Sequence, residues 1–272
     1  MKEKPRVLRL QEFLGKQMAL TLLTITDFPL VKPGDDLAEI IFSSCIKQDL
    51  QVKPGDIFVL AQKIVSKSEG RLVNLTTVIP SDEAIRIAGI TEKDPRFVEM
   101  VLRESNEVLR TGVNTLIVEH KKGFVCANAG IDHSNVKGDW GEDKDWVLLL
   151  PEDADVSAEK IRKGLEKKFE CKLGVLIIDS HGRAWRNGTV GMAIGLSGLP
   201  ALVDLRGQED LFGFKLKITQ VGAADELAAA ASLIMGQAKE GTPVVHVCGF
   251  PYPLRESSLA ELIREKERDL FR

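Results

Sequence analysis

Residues 172–198 read KLGVLIIDSHGRAWRNGTVGMAIGLSG, and everything around this stretch is organised by how it is read. Leu173, Val175, Leu176, Ile177 and Ile178 form a short apolar run of the kind buried on both faces of a sheet. The run meets a carboxylate and a hydroxyl at Asp179 and Ser180, so the expectation is a core strand that stops there. Arg183, Trp185, Arg186 and Asn187 follow, a polar group to find at the rim of a core. Gly188, Gly191, Gly195 and Gly198 come next, and glycines at that density let backbone approach closely and turn free N–H groups toward an anion. A carboxylate, two guanidiniums and exposed amides point to a metal beside phosphate. A strand end with a solvated turn is the competing reading, and this stretch by itself leaves both open.

Moving outward toward the N-terminus, Ser157 is placed to cap a helix whose apolar positions Ile161, Leu165 and Phe169 recur every fourth residue. Residues 147–150 form a strand stopped by Pro151, and residues 140–145 a polar loop. The segment 127–135, ANAGIDHSN, sets small residues before Asp132 and Asn135. An anionic oxygen and an amide oxygen on tight backbone suit a hard cation, although an Asx-rich turn bonded to its own backbone has the same composition. Short strands at 115–118 and 124–126 lead to it around a Lys-Lys-Gly turn. Further upstream, Ser81 and Asp94 open helices, the second with Pro95 at its first position. Residues 57–61 form a strand expected to continue through 62–71, with Lys63 and Lys67 either solvated or bound to phosphate. Asp35 and Asp36 open a helix with Leu37, Ile40, Ile41 and Cys45 on one face, preceded by a strand over 18–25.

Toward the C-terminus, residues 203–207 read as a turn and 213–219 as an alternating strand. An Ala-rich helix over 223–237 has acids in its first turn and a small face that should pack closely on its own sheet or on a second subunit. A core strand over 243–247 and an amphipathic helix with Ser258 and Glu261 as a capping box complete the pattern.

Composition sets the outer limits. With 272 residues, 44% hydrophobic and 28% charged, the chain is an ordinary globular one. A formal net charge of -3 argues against a nucleic-acid surface. Cys45, Cys126, Cys171 and Cys248 are scattered without a CxxC pair, and His120, His133, His181 and His246 lack HExxH spacing, so no zinc site is signalled. There is no Walker A loop, GxSxG elbow or GxGxxG turn. With no secretory h-region and no apolar run of about eighteen residues, a cytoplasmic location without membrane contact is expected.

Six blocks in order, FPLVKPGDDLAEII (28–41), GDIFVLAQKIVSKSEGR (55–71), CANAGIDHSNV (126–136), IIDSHGRAWRNGTVGMAIG (177–195), DLRGQEDLFGFKL (204–216) and ADELAAAASLIMGQAKEGTPVV (224–245), resemble the coenzyme F420 gamma-glutamyl ligase family over most of the chain. The resemblance implies an α+β fold of the family's own kind, a mixed sheet with packed helices in an intertwined homodimer. It implies one catalytic unit over residues 1–272, with room for two subdomains and no following flavin-type reductase domain. It further implies a GTP-dependent ligase that needs a divalent cation, Mg2+ or Mn2+, with K+ as a further candidate, and that couples L-glutamate to a deazaflavin precursor.

Carried over by position, nucleotide contacts fall at Phe28, Pro29, Leu30 and Val31, at Gln62, Lys63, Lys67 and Asn135, and at Met235, Gly236, Gln237, Ala238, Lys239, Glu240, Gly241 and Thr242. Metal ligands fall at Asp132, Asp179, Ser180 and Gln237. Asp132, Asp179 and Lys67 become the catalytic set, with Lys63 or Arg186 as an assisting cation. Ser180 stands where the family more often has threonine, and Gln62 and Lys63 where other members carry small hydroxyl residues. The chemistry implied is phosphoryl transfer to a carboxylate and attack of an amine on the acyl phosphate, with no covalent nucleophile from the protein. An amide ligase with a different acceptor or amino acid, or a non-catalytic nucleotide-binding relative, would use much the same residues.

Overall fold

The computed structural model describes residues 19–270; Met18, in the first expected strand, lies outside the described residues. The described residues begin with β1 (Thr21–Thr24) and α1 (Leu37–Lys47). Asp36 caps α1 by accepting from the Ala38 and Glu39 N–H groups, and Leu37, Ala38, Ile41 and Cys45 turn inward. β2 (Ile57–Ala61) then passes straight into α2 (Gln62–Ser68). This corrects the strand expected over 62–71. Gln62, Val65 and Ser66 are buried at i, i+3 and i+4, helical spacing that puts Lys63 and Lys67 together on another face.

A second group follows: β3 (Leu72–Asn74), α3 (Asp82–Thr91), α4 (Pro95–Arg103), β4 (Ser105–Gly112), β5 (Thr115–His120), β6 (Val125–Ala127) and β7 (Trp146–Leu148). Ser81 and Asp94 cap α3 and α4 as expected. β4 has no counterpart in the sequence reading, because two register shifts against β5 break its alternation. The chain returns through α5 (Ala154–Phe169), β8 (Gly174–Arg183), β9 (Arg186–Ser197), β10 (Val203–Asp204), β11 (Gln220–Val221), α6 (Ala223–Met235) and β12 (Val244–Cys248). Ser157 does not cap α5. Asp153 does, accepting from Val156 N–H, while the Ser157 hydroxyl donates to the Asp153 carbonyl inside the first turn.

The main sheet has the order β1-β12-β2-β8-β9. β2 and β8 are parallel and the other neighbours antiparallel, so the sheet is mixed and β1, β2 and β8 point the same way. Alternation along β2 sorts the core: Phe58 and Leu60 pack with α1 and α5, whereas Ile57 and Val59 pack with α6. A third core joins α3 and α4 to β5 and β7. Among the described residues, no helix is long and apolar enough to cross a membrane.

The stretch that opened the sequence reading is a long hairpin. β8 does not stop at Asp179 but continues paired with β9 as far as Arg183, because the β9 backbone satisfies its N–H and C=O groups past the end of the apolar run. The expected anion-binding role of the glycines is corrected with it. A Cβ at Gly191 would fall 2.5 Å from the Ala228 carbonyl oxygen, and one at Gly195 2.3 Å from the Ala154 backbone. These glycines let α6 and α5 lie directly on β9. A Cβ at Gly198 would likewise meet the Leu173 carbonyl oxygen at 2.7 Å, and Gly188 sits near the exposed hairpin tip.

β9 is an edge strand, and its outward N–H groups are not left bare: Ala193 donates to Asp225 at 3.0 Å and Leu196 to Asp155 at 2.8 Å. The small face of α6, with Ala224, Ala228 and Ala231, is therefore used within the chain. Two further expectations fail. Residues 213–219 form no continuous strand: Lys215 makes an isolated antiparallel bridge with Glu209, the ladder with β10 is confined to Gln220–Val221, and Leu211, Phe212 and Ile218 are 97%, 94% and 87% exposed. The C-terminal amphipathic helix is replaced by 3-10 turns at Leu259–Glu261 and Lys266–Arg268; Ser258 makes no side-chain cap, its carbonyl accepting from the Glu261 N–H at 3.2 Å while the Glu261 carboxylate is held by Arg255.

At the start of β2, buried Asp56 lies 2.8 Å from His246 Nε2 on β12 and also accepts from Lys53 N–H. Cys248 Sγ is 3.9 and 3.7 Å from the two ring nitrogens of His246. Near-equal distances put the sulfur across the ring, not along either nitrogen's lone pair. Phe58 stacks on the same ring at 5.2 Å between centroids, so the group is a packed tie between strands rather than a metal centre.

Candidate functional site

The segments that follow β1, β2 and precede β12 all emerge at one end of the main sheet, where the last turns of β8 also lie. Ligands in sheets with parallel strands bind at that carboxyl edge, where loops diverge and backbone groups are free. An open cleft of about 790 Å³ occupies it, lined by residues 28–31, by Gln62, Lys63 and Lys67 of α2, by Asn135, by Asp179 and Ser180 of β8, and by residues 235–242. Asp132 stands behind Gln62 and Lys63 rather than on the cleft wall. Arg183, Arg186 and Asn187 belong to the far end of the hairpin and do not line it.

Asp132 is delivered by strained backbone. Asn128, Ala129 and Gly130 are three consecutive residues with positive φ, at 53°, 53° and 69°. Left-handed backbone costs a non-glycine residue roughly 1–2 kcal/mol, so this loop is held by its surroundings. Reciprocal backbone bonds between Asp132 and Leu148, at 3.0 and 2.9 Å, anchor its end beside β7. There Gln62 Nε2 donates to Asp132 Oδ2 at 2.7 Å, and buried Ser66 fixes that amide by donating to Gln62 Oε1 at 2.8 Å. Lys63 Nζ sits 3.4 Å from the same Asp132 oxygen while donating to Ser134 Oγ at 2.8 Å and to its carbonyl at 3.1 Å. Lys67 Nζ donates to the Asn135 carbonyl at 2.8 Å.

The opposite wall is built on β8 and the end of α6. Gly236, at φ 78°, releases the chain from α6, and Thr242 Oγ1 returns to the Met235 carbonyl at 2.9 Å, closing the 235–242 segment on itself. Ser180 Oγ donates to Gln237 Oε1 at 2.7 Å, and Gln237 Nε2 donates to Ser232 Oγ at 3.0 Å. Asn135 Nδ2 reaches across to the Ala238 carbonyl at 2.9 Å, so the two walls already touch. His181 Nε2 lies 3.0 Å from Asp179 Oδ2 without the alignment of a hydrogen bond.

Charge in the site is unresolved by the protein itself. Burial, and then the Asp179 carboxylate, push Asp132 up to about 6, against the opposing pull of Lys63 and Gln62. Burial, and then Lys63, hold the Lys67 ammonium below its ordinary value. Two carboxylates, a hydroxyl and an amide oxygen near two ammonium groups form an all-oxygen donor set beside an anion-attracting wall.

The sequence reading missed the supporting hydroxyls. Ser66 is four residues after Gln62 and becomes visible once α2 is recognised as a helix; Ser232 lies on α6 with no signal beyond its polarity in an Ala-rich run.

The family model described as F420-0:Gamma-glutamyl ligase matches residues 26–249. The chain is 45% identical to the coenzyme F420:L-glutamate ligase of Methanothermobacter thermautotrophicus over 94% of this chain and 100% of that protein. It is 45% identical to the Methanocaldococcus jannaschii protein of the same name, over 90% and 94% of the two chains, and 41% identical to the Archaeoglobus fulgidus one, over 94% and 97%. The chain belongs to the F420-0:gamma-glutamyl ligase family.

Proposed function

We propose that this protein is a cytoplasmic ligase that uses GTP to couple L-glutamate to the terminal carboxylate of a deazaflavin precursor of coenzyme F420. The single observation that carries this reading is the convergence, at the carboxyl edge of the sheet, of the paired acids Asp132 and Asp179 with the lysines of α2. The precursor's carboxylate oxygen bonds to the γ-phosphorus of GTP as the bond to GDP breaks. The amine of glutamate then attacks the acyl phosphate carbon, inorganic phosphate leaves, and the amine proton passes to solvent.

Asp132, Asp179, Ser180 and Gln237 offer only oxygen ligands, which fits Mg2+ or Mn2+, and such an ion would neutralise charge on the phosphate oxygens. Lys67 supplies positive charge toward the transferring group, and Asn135 and residues 235–242 hold the nucleotide. Residues 28–31, with Leu30 90% exposed, form the apolar lip against which a base can rest. A homodimer is part of the same reading. Leu211, Phe212, Phe214 and Ile218 project as an exposed apolar arm whose burial would favour a second copy, and a monomeric mass in sedimentation with full activity would count against it.

The test is product release. Purified protein should form GDP and phosphate only when the deazaflavin precursor and L-glutamate are both present, with a higher kcat/KM for GTP than for ATP. GDP release that ignores both acceptors would overturn the ligase assignment. An equal or higher kcat/KM with ATP would overturn the choice of nucleotide alone.

A further inference from the structure

Lys63 stands where a cation is wanted and is doing two things at once. Its ammonium, 3.4 Å from Asp132 Oδ2, also donates to the Ser134 carbonyl and hydroxyl, so the contacts it makes are with the 132–135 loop. Lys67, one helical turn on, is engaged in the same way with the Asn135 carbonyl. Both lysines therefore clasp the loop that carries Asp132, although both line the cleft. Asp132 Oδ2 already accepts from Gln62 at 2.7 Å, and its side chain and that of Lys63 are each 27% exposed. Oδ2 with two cationic or N–H neighbours has little room for a third, and a cation on the other oxygen of the same carboxylate would stand close to the Lys63 ammonium. The lysine is the exchangeable one, because it is partly solvated and on a flexible stem while the Gln62 amide is buried and fixed by Ser66.

We infer that Lys63 is an exchangeable counter-charge: it neutralises Asp132 in the ligand-free protein and must leave it for phosphate when a divalent cation takes Asp132. The inference rests on the proposed function above and adds a specificity-determining role for Lys63 within it. Two consequences have opposite signs. Competition by Lys63 weakens divalent-cation binding in the absence of nucleotide, because the ion must share or take over a carboxylate already held by a like charge. Once the ion is bound, the released ammonium strengthens nucleotide binding. A residue that merely braced the loop would move both affinities in the same direction or move neither.

The test titrates Mn2+, and then GTP at saturating Mn2+, into the full chain and into Lys63→Met and Lys63→Arg, followed by calorimetry and by the electron paramagnetic resonance of free Mn2+. Lys63→Met should bind Mn2+ about tenfold more tightly without nucleotide, the scale of a partly exposed charge pair, and Mn2+-loaded Lys63→Met should bind GTP about tenfold more weakly. Lys63→Arg, which keeps the charge, should stay near wild type in both. Equal or weaker Mn2+ binding by Lys63→Met, with wild type binding normally, overturns the exchange and leaves the ligase reading intact. Absence of Mn2+ binding to wild type overturns the metal assignment and the exchange with it. Thermal unfolding of the variants in metal-free buffer reports whether they are folded, and if Lys63→Met is not, Lys63→Gln provides the same comparison with a polar chain of similar reach.

Discussion

The two ends of β2 each hold a carboxylate, and the chain treats them in opposite ways. Asp56, just before the strand, is 5% exposed and sits 2.8 Å from the ring nitrogen of His246, itself 1% exposed, under a stacked Phe58. Asp132, held against Gln62 just after the strand, is half-buried, has one oxygen near both an amide and a lysine, and is pushed up to about 6 by burial and then by a second carboxylate. One end is settled and the other is left in conflict. On the function proposed above, the difference separates a carboxylate that serves the fold from one that serves a ligand, since perturbed charge of this kind concentrates at functional sites.

Asparagine at each end is the strongest way to break this comparison. Asp132→Asn or Asp179→Asn keeps the shape and removes a charge, and should lower kcat/KM by about a hundredfold, roughly 2.7 kcal/mol of transition-state stabilisation, with no loss of thermal stability in metal-free buffer. Asp56→Asn should do the reverse, costing about 2 kcal/mol of stability by leaving a buried partner poorly matched while kcat/KM of the folded protein changes little. Steady-state GDP formation and urea unfolding separate the two outcomes. A variant at Asp132 or Asp179 with wild-type rate would make that residue a turn former and move the chemistry elsewhere.

The pH dependence of stability sharpens the comparison at smaller energies. The folded protein raises Asp132 from 3.8 to about 6, so it binds that proton more tightly than the unfolded chain does. The resulting stabilisation is full below about pH 4 and is lost as pH rises through about 6. In metal-free buffer, Asp132→Asn should therefore lie close to wild type near pH 4 and exceed it by up to about 3 kcal/mol at pH 7. Burial pushes His120 down to about 4, which works the other way with pH, but it is common to both proteins and cancels in the difference. Urea unfolding from pH 4 to 8 measures the gap. A constant gap across that range would mean that burial and Asp179 together do not raise Asp132 in the folded protein.

How much of this was legible in the sequence follows from what each signal depends on. Caps at Asp36, Ser81 and Asp94 were readable because they are local hydrogen bonds between neighbours in the chain. The α2 helix was not, since the strand passes into Gln62-Lys63-Ile64-Val65 through Ala61, which offers no side-chain cap and no turn residue at which to divide the two. The run of β8 past Asp179 was hidden for a related reason: pairing with β9 keeps a polar segment extended, and pairing is a non-local fact. The glycines of β9 announced close approach correctly, but only the structure tells that helices, and not an anion, approach. Asp132, Asp179, Ser180 and Gln237 were singled out by residue type and family pattern. The amide and hydroxyl contacts that hold them required coordinates, because their partners lie far away in sequence: Gln62 reaches Asp132 across 70 residues and Ser180 reaches Gln237 across 57.

Ser66 offers the smallest and most discriminating test of how the unsettled end is held. It is fully buried, and its hydroxyl donates to Gln62 Oε1 at 2.8 Å, leaving Nε2 the only end of the amide that can face Asp132. Ser66→Ala removes that donor and leaves a buried carbonyl oxygen unmatched, at a cost of about 1 kcal/mol. The amide can then turn over, and in that orientation its oxygen would oppose the carboxylate. Flipping is therefore resisted while Asp132 is charged, and the effect on kcat/KM should be modest, about threefold. Coupling distinguishes this from simple loss of packing. If Ser66 acts through Gln62 on Asp132, its effect on rate should vanish in an Asp132→Asn background while its effect on stability persists. Full additivity in the rate would show that Ser66 holds the helix and has no hand in the site.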